Sequence, residues 1–352
     1  MPVSPVSAAA LAAVAFLGGC SGGSSGAPSS VPAMGSAQTP VRAIPDWLAR
    51  APARPLRAIA APDSAQNGIY VSAFDDTSIF GFKSTYKTGH GPLCTVYTGV
   101  ADIGDIAVDP QRDLVVPDGF TGFVRVYKGP EMCGSVSKQV VDPYGQPNGA
   151  ASLNAESDAI VVSNIVGVNN KVGNLAICTL SGGCTAELTS SNITGYASGV
   201  ALAKNGACWL ASENAAFTAA TMTYWAGCSG TGQAVTGFKN SSYGSLSIDK
   251  GGNLISLDFE GSGTGQLWVY SGCNPACRLV AGPFPLVGQP IEGALNAKGD
   301  TFGTIETQFP YGGQVDIYKY APTKLTYEYS FDSSYAPVAD PNGFAYSPAL
   351  RE

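Results

Sequence analysis

Short apolar runs of strand length recur along this chain, and turn residues separate each run from the next. Residues 104–109, 114–116 and 123–127 form one set of three runs, and residues 244–249, 254–258 and 266–270 form another. The turns between runs contain Gly and Asn, which tolerate positive φ and suit tight hairpins. The pattern predicts antiparallel β structure in which the same group of strands is repeated.

The repeated sets follow a regular period. A glycine opens the first run of each set, and successive glycines are 45, 50, 45, 49 and 50 residues apart. These glycines are Gly104, Gly149, Gly199, Gly244, Gly293 and Gly343. A period of 40 to 50 residues with several strands per period is typical of a β-propeller, whose four-stranded blades bury their faces against each other.

The two ends of the repeat region predict the number of blades. The first set has strands at residues 69–71 and 79–82 but no glycine-led strand before them, and the last set has only residues 343–346. The first set lacks the glycine-led strand, and the last set consists of that strand alone, so the two fragments together make one complete set. We therefore predict an all-β, six-bladed propeller over residues 61–352, closed by pairing of the C-terminal strand with the first blade.

The first 60 residues are predicted to lie outside the propeller. Residues 8–17 are apolar over the length of a signal peptide, and the sequence Leu17-Gly18-Gly19-Cys20 resembles the lipobox of bacterial lipoproteins. That resemblance implies a signal peptide at residues 1–20 and lipidation of Cys20, with ordinary cleavage and secretion as the alternative. Residues 21–60 are predicted to be a flexible tether with a short docking segment around Trp47. We expect an exported protein, anchored through its lipid to the bacterial cell envelope or secreted.

Charge and cysteine content agree with export. Charged residues make up only 13% of the chain, and a net charge of -7 argues against binding to nucleic acid. Eight cysteines remain besides Cys20, an even number that is consistent with disulfides in an oxidising compartment. Their positions predict the pairs Cys178/Cys184, Cys208/Cys228 and Cys273/Cys277, and leave Cys94 and Cys133 unassigned.

Candidate chemistry is sparse. The single histidine, His90, lies in a Thr-Gly-His-Gly-Pro turn, which excludes zinc sites built from several histidines and disfavours a Ser-His-Asp triad. Aromatic residues at the ends of third strands, such as Trp225 and Tyr270, are predicted to be core between blades. Other aromatic residues, such as Phe120, lie beside the acidic residues described below, and the alternative prediction for these is that they line a ligand groove.

Acidic and amide residues recur near the end of each second strand, 13 to 15 residues after the glycine. They are Asp118, Asn164, Glu213, Asp258 and Glu306. In an antiparallel hairpin the end of the second strand lies beside the start of the first, so these residues should gather at one end of the ring. Two hypotheses follow: an axial Ca²⁺ site, since Ca²⁺ takes oxygen ligands, or structural side chains that accept hydrogen bonds from neighbouring turns.

The repeat unit, with its Gly-Asn-Leu-Ile-Ser-Leu-Asp and Leu-Trp-Val-Tyr segments at residues 252–258 and 267–270, resembles NHL-repeat and SMP-30/gluconolactonase-like six-bladed propellers. More narrowly, the chain from about Trp47 resembles bacterial propeller lipoproteins. The SMP-30 resemblance implies a divalent metal held by Glu, Asn, Asn and Asp, and hydrolysis of lactones. Glu213, Asn164 and Asp258 are of the types that this resemblance requires.

The sequence thus predicts a binding or interaction scaffold at the cell envelope. Its axial face would contact a protein, peptide or glycan, and its N-terminal lipid would contact the membrane. The alternative hypothesis is a Ca²⁺-dependent hydrolase of the lactonase type.

Overall fold

The computed structural model describes residues 68–73, 78–84, 92, 94–97, 104–109, 112–119, 121–128, 136–152, 159–169, 171–216, 218–242, 244–258, 265–308, 312–332 and 341–347. The predicted signal peptide, Cys20, the tether and His90 lie outside these residues, and so do Phe120 and Cys133.

Twenty-four strands occupy the described residues. The strands of the first half are β1 (Gly68–Ala73), β2 (Ser78–Lys83), β3 (Cys94–Tyr97), β4 (Ala107–Val108), β5 (Leu114–Asp118), β6 (Phe123–Tyr127), β7 (Val136–Val141), β8 (Gly145–Ser152), β9 (Ala159–Gly167), β10 (Asn174–Thr179) and β11 (Gly183–Leu188). Those of the second half are β12 (Gly195–Leu202), β13 (Cys208–Asn214), β14 (Ala220–Trp225), β15 (Gln233–Ala234), β16 (Leu246–Ile248), β17 (Leu254–Asp258), β18 (Gln266–Ser271), β19 (Arg278–Pro285), β20 (Gln289–Leu295), β21 (Thr301–Gln308), β22 (Gly312–Ala321), β23 (Lys324–Asp332) and β24 (Pro341–Ser347). A 3-10 turn at Ala226–Cys228 follows β14.

The strands form six antiparallel sheets of four, which are the blades of a propeller. Blade 1 has the order β24-β1-β2-β3, and blades 2 to 6 each take four consecutive strands, from β4–β7 to β20–β23. The innermost strands contact each other in the closed sequence β24, β4, β8, β12, β16, β20 and back to β24. This confirms the predicted six-bladed, all-β propeller.

The C-terminal strand closes the ring as predicted. β24 pairs antiparallel with β1, from Gly68 opposite Ser347 to Ser72 opposite Gly343. Blade 1 is therefore built from both ends of the propeller, and its inner strand comes last in the chain. Because the pairing converts an open edge of β1 into a ladder, it removes a site for edge-to-edge association.

The hydrophobic core lies between blades. Six clusters of buried side chains are present in the described residues, and each joins two neighbouring blades. The predicted aromatic core residues are among the buried residues, with Trp225 and Tyr270 both 0% exposed. Since each blade covers the face of the next, no blade is expected to be stable alone.

The repeated glycines lie where the inner strands approach one another. A Cβ on Gly343 would lie 2.6 Å from the carbonyl oxygen of Gly104 in the next blade, and one on Gly199 would collide with the carbonyl oxygen of Gly244. Close approach of backbone to backbone at the axis thus explains the period of the sequence. In four blades the inner strand begins before the glycine rather than at it, as in β12 and β20.

Within the described part of the chain, no helix is long and apolar enough to cross a membrane.

Candidate functional site

The predicted ring residues lie toward the ends of second strands. Asp118 and Asp258 are the last residues of β5 and β17, Glu213 is the penultimate residue of β13, and Asn164 lies three residues before the end of β9. Glu306 lies on β21 at the equivalent position, but its side chain is not among those described. The repeat therefore brings these positions to one end of the ring, and the hydrogen bonds of each side chain differ.

Asp118 stabilises the turn that follows its own strand. Its Oδ1 accepts a hydrogen bond from the Thr121 amide at 3.1 Å, and its Oδ2 accepts one from the Thr121 hydroxyl. The guanidinium of Arg125 lies 3.4 Å from Oδ2, and both side chains are buried. Both of these partners lie in blade 2, the blade that contains Asp118.

Asn164 and Asp142 connect blade 3 to the loop that enters it. The Asn164 amide nitrogen donates to Asp142 Oδ2 at 3.1 Å and to Asn174 Oδ1 at 2.8 Å. Asp142 Oδ1 accepts the Tyr144 amide proton at 2.8 Å. Burial raises the pKa of Asp142 to about 6, against the lowering effect of these hydrogen bonds.

Asp258 is saturated with donors from the loop that enters blade 5. Ser241 and Ser242 each donate both a backbone amide and a hydroxyl proton to its carboxylate, at distances of 2.9 to 3.1 Å. Since four donors surround two oxygens, this side chain caps the loop. Asp118 and Asp258 therefore fit the second hypothesis, in which these side chains accept hydrogen bonds from neighbouring turns or loops.

Glu213 differs from these neighbours. It is 4% exposed, yet within the described residues no hydrogen-bond donor contacts its carboxyl group. The loop that enters blade 4 is held instead by Asn192, whose side-chain amide donates to Met222 O and to Thr223 Oγ1, both at 2.9 Å. The Thr221 hydroxyl donates to Asn192 O at 3.1 Å. Because the third strand fixes this loop, Glu213 is not needed to hold it.

The electrostatic environment of Glu213 is set by burial and by a second acid. Burial raises its pKa to about 7, and the negative charge of Asp258 in the adjacent blade adds to the shift. The group can therefore exchange a proton near neutral pH. A buried acid without a donor, next to a fixed carboxylate, is a typical binding or catalytic environment.

A second acid pair lies at the axis, and the sequence analysis did not identify it. Asp105 and Glu292 hydrogen-bond each other from blades 2 and 6, and backbone hydrogen bonds from Phe344 and Ile106 also reach Asp105. Burial raises the pKa of Asp105 to about 7, and burial together with the Asp105 charge raises the pKa of Glu292. One signal was present: Asp105 directly follows Gly104 and Glu292 directly precedes Gly293, so both flank the axial glycines.

The described acidic members of the predicted metal set do not form a group of three with donor atoms within 4.8 Å of one another. Within the described residues, the one group of three His, Cys, Asp or Glu side chains with donor atoms within 4.8 Å of one another is Asp142, Cys178 and Cys184. Asp118, Glu213 and Asp258 are not part of such a group. Ca²⁺ binding by the five-residue ring stays a prediction.

The structure contains the three disulfides that the sequence predicted. Cys178–Cys184 closes the β10–β11 hairpin, and Cys208–Cys228 joins the start of β13 to the 3-10 turn after β14. Cys273–Cys277 closes the turn between β18 and β19. Cys94 lies on β3, and its side chain is not described.

Comparison with solved structures supports the fold. TolB from Acinetobacter baumannii matches with a TM-score of 0.56 at 10% identity, over 81% of this chain and 68% of that chain. A protein of unknown function from Bacteroides caccae matches with a TM-score of 0.57 at 10% identity, over 82% of this chain and 100% of that chain. Neither a protein-family model nor a curated protein sequence matches the chain. At such low identity the likeness concerns the fold alone, and the resemblance to NHL-repeat and SMP-30 propellers stays a prediction.

Proposed function

We propose that this protein is an exported, lipid-anchored propeller that binds a ligand at the axial end of its ring, with Glu213 as a contact residue. The observation that carries the proposal is the difference between Glu213 and the equivalent residues Asp118 and Asp258. These two carboxylates cap turns or loops, whereas the buried Glu213 carboxyl has no donor among the described residues. The Glu213 oxygens are not among the fully buried unpartnered atoms of the described residues, so a ligand that enters from solvent can donate to them.

The chemistry of the site favours a basic ligand. Glu213 lies near the Asp258 carboxylate, and the chain carries a net charge of -7. An ammonium or guanidinium group would donate to Glu213 and stabilise its charged form. Among the predicted partners, a peptide or protein segment with Lys or Arg fits best.

A peptide-binding assay tests this proposal. The lipidated protein in detergent is applied to an array of basic, neutral and acidic decapeptides, in parallel with Glu213→Gln and with Glu328→Gln as a matched control. Glu328 lies exposed on the outer strand β23. We expect retention of basic peptides by the parent and by Glu328→Gln, and a loss of about tenfold or more in Glu213→Gln, since charge-assisted hydrogen bonds contribute about 1.5–3 kcal/mol. Equal retention by all three proteins, or preference for acidic peptides, would contradict it.

A Ca²⁺-dependent lactone hydrolase is the second candidate. The feature in its favour is the burial of Glu213 beside the Asp258 charge, which raises the pKa of Glu213 to about 7, a value that suits a general acid or base at neutral pH. Thermal melting with Ca²⁺ or with a chelator, followed by assay of a panel of lactones, tests it. A melting shift and turnover that are both lost in Glu213→Gln would favour the hydrolase, and the absence of both would exclude it.

The anchor is tested separately at Cys20, which lies outside the described residues. The parent protein should partition into the detergent phase on phase separation, and Cys20→Ala should move to the aqueous phase. Unchanged partitioning of the variant would remove the lipid from the proposal.

A further inference from the structure

A carboxylate lies against one of the three disulfides. The donor atoms of Asp142, Cys178 and Cys184 all lie within 4.8 Å of one another. Asp142 and Cys178 are buried, at 3% and 0% exposure, and Cys184 is partly exposed. Two sulfurs and a carboxylate at this spacing are a set of metal ligands as soon as the sulfur–sulfur bond is broken.

The fold brings these residues together from two blades. Asp142 directly follows β7 of blade 2, whereas Cys178 and Cys184 lie opposite each other on β10 and β11 of blade 3. Val140 packs in the same interblade cluster as Cys178 and Cys184. The hydrophobic contact between blades thus holds the carboxylate next to the sulfurs.

A fourth polar group adjoins the set. The Asn164 side chain is 0% exposed and donates to Asp142 Oδ2 at 3.1 Å, while its own Oδ1 has no hydrogen-bond partner within the described residues. An unpartnered buried oxygen is costly unless it is satisfied. Asn164 thus fixes the Asp142 carboxylate of the set through its side-chain amide.

We propose that reduction of the Cys178–Cys184 disulfide creates a binding site for a thiophilic divalent cation such as Zn²⁺. Both thiolates and the Asp142 carboxylate are its ligands, and Asn164 holds that carboxylate through a hydrogen bond. Two sulfurs with one or two oxygens suit the four-coordinate preference of Zn²⁺, and thiolates select it over Ca²⁺ and Mg²⁺. The site therefore differs in place and chemistry from the five-residue Ca²⁺ ring, and it is independent of the function proposed for Glu213.

The reaction balances with a dithiol as reductant. One thiolate of the dithiol attacks Cys184 Sγ, the more exposed sulfur, and Cys178 leaves as a thiolate. The second thiol of the reductant displaces Cys184 and forms its own disulfide, so the protein gains the two electrons that the dithiol loses. Zn²⁺ then binds both cysteine sulfurs as thiolates, which releases two protons to solvent overall.

The Cys273–Cys277 pair provides a matched control. It also closes a local turn, with a sequence separation of 4 against 6 for Cys178–Cys184. Within the described residues, no carboxylate forms a comparable group with Cys273 and Cys277. Reduction produces thiols at both cysteine pairs. The proposal predicts a metal site with a carboxylate ligand at Cys178 and Cys184, and not at Cys273 and Cys277.

Cobalt titration under anaerobic conditions tests the site. The full-length protein is reduced with a phosphine, desalted and titrated with Co²⁺, while thiolate-to-cobalt charge-transfer absorption is followed. The oxidised parent should not develop the absorption. The reduced parent and reduced Cys273→Ser/Cys277→Ser should develop it, and reduced Cys178→Ser/Cys184→Ser should lose one equivalent. Asp142→Asn should weaken binding by at least about tenfold, as removal of metal-site groups typically does, and Zn²⁺ should displace the cobalt.

Two results would overturn the proposal. One is equal cobalt binding by the Cys178/Cys184 and Cys273/Cys277 double variants, and the other is the absence of cobalt binding by the reduced parent. Near-UV circular dichroism covers the case in which reduction disrupts packing. If the reduced protein loses its near-UV signal, Zn²⁺ should restore it in the parent and not in Asp142→Asn, and failure to restore it in the parent counts against the site.

Discussion

Blades 4 and 5 carry acidic residues at the same point of the repeat, and the two residues behave differently. Glu213 and Asp258 each lie 14 residues after their glycine and close to the end of a second strand. Asp258 accepts four hydrogen bonds from Ser241 and Ser242, whereas Glu213 accepts none from the described residues. Position in the repeat is therefore a poor guide to role.

The loop that enters each blade explains the difference. In blade 5 the entering loop donates to the strand-end acid, so the acid stabilises the fold. In blade 4 the loop is held through Asn192 by the third strand, so the acid stays available. The hydrogen bonds of Asn192 thus leave the Glu213 carboxyl without a donor among the described residues, which is the feature on which the proposed function rests.

We expect the largest effect where the ring closes. The comparison of blades 4 and 5 holds only if the blades form one cooperative ring. Deletion of residues 341–352 removes β24 and, with it, Phe344 and Tyr346 from the cluster between blades 6 and 1. We expect loss of the cooperative thermal transition. Deletion of residues 348–352 alone is the control and should keep that transition. Melting of the longer deletion at the parental temperature would contradict the closure model.

The contact between blades 4 and 5 is the next test. An added methyl group in Gly199→Ala would collide with the carbonyl oxygen of Gly244, whereas in Gly182→Ala it would meet only the Thr179 hydroxyl. We expect Gly199→Ala to lower the free energy of unfolding by about 3 kcal/mol, as overpacking does. Gly182→Ala should cost less than about 1 kcal/mol at its exposed site. Denaturant unfolding measures both, and equal costs would show that the inner strands do not pack closely here.

Replacement of the two acids by alanine tests the comparison directly. Asp258→Ala leaves the donors of Ser241 and Ser242 without their acceptor, so we expect a loss of about 3 kcal/mol in the free energy of unfolding. Glu213→Ala removes a carboxyl that holds no described donor and should cost about 1 kcal/mol or less. Denaturant unfolding at about pH 7 measures the difference. Similar losses would mean that Glu213 has a structural role like that of Asp258.

The last test concerns the proton on Glu213. Its pKa rises from 4.5 to about 7 in the folded protein, so the folded state binds the proton more tightly than the unfolded state does. Stability from this group is thus present below about pH 4.5 and is lost as the pH rises through about 7. Glu213→Gln removes the charge, so its melting temperature should exceed that of the parent at about pH 8 and approach it at about pH 4.5. Glu328→Gln is the exposed control, and a pH-independent difference for Glu213→Gln would contradict the raised pKa.

Much of the fold was predictable because its signals are local. Apolar runs and glycine spacing predicted three strands in most blades, and the incomplete first and last sets predicted closure. The outer strands were not located, since a strand such as β19 is half-exposed along its length and lacks a continuous apolar run. The disulfide partners were predictable because each pair lies within one hairpin or blade.

The candidate site was predictable only in outline. The sequence identified the strand-end residues, but the donors around Asp258 come from a loop 16 or 17 residues away. The oxygens to which the Asn192 side chain donates lie 30 and 31 residues away. Asp105 and Glu292 lie in blades 2 and 6 and are far apart in the sequence, yet they hydrogen-bond each other. No local pattern indicates contacts of this kind.

The sequence by itself determined the repeat, the number of blades and the closure of the ring, because each strand is a local apolar run and the glycines recur once in every blade. Only the tertiary structure decided which acids accept hydrogen bonds from loops, which acids pair with each other at the axis and which carboxylate lies next to a disulfide. Those outcomes depend on packing between blades, which brings Asp142 to Cys178 and leaves Glu213 without a donor among the described residues. The same repeat position therefore accepts hydrogen bonds from a loop in blade 5 and from none of the described residues in blade 4.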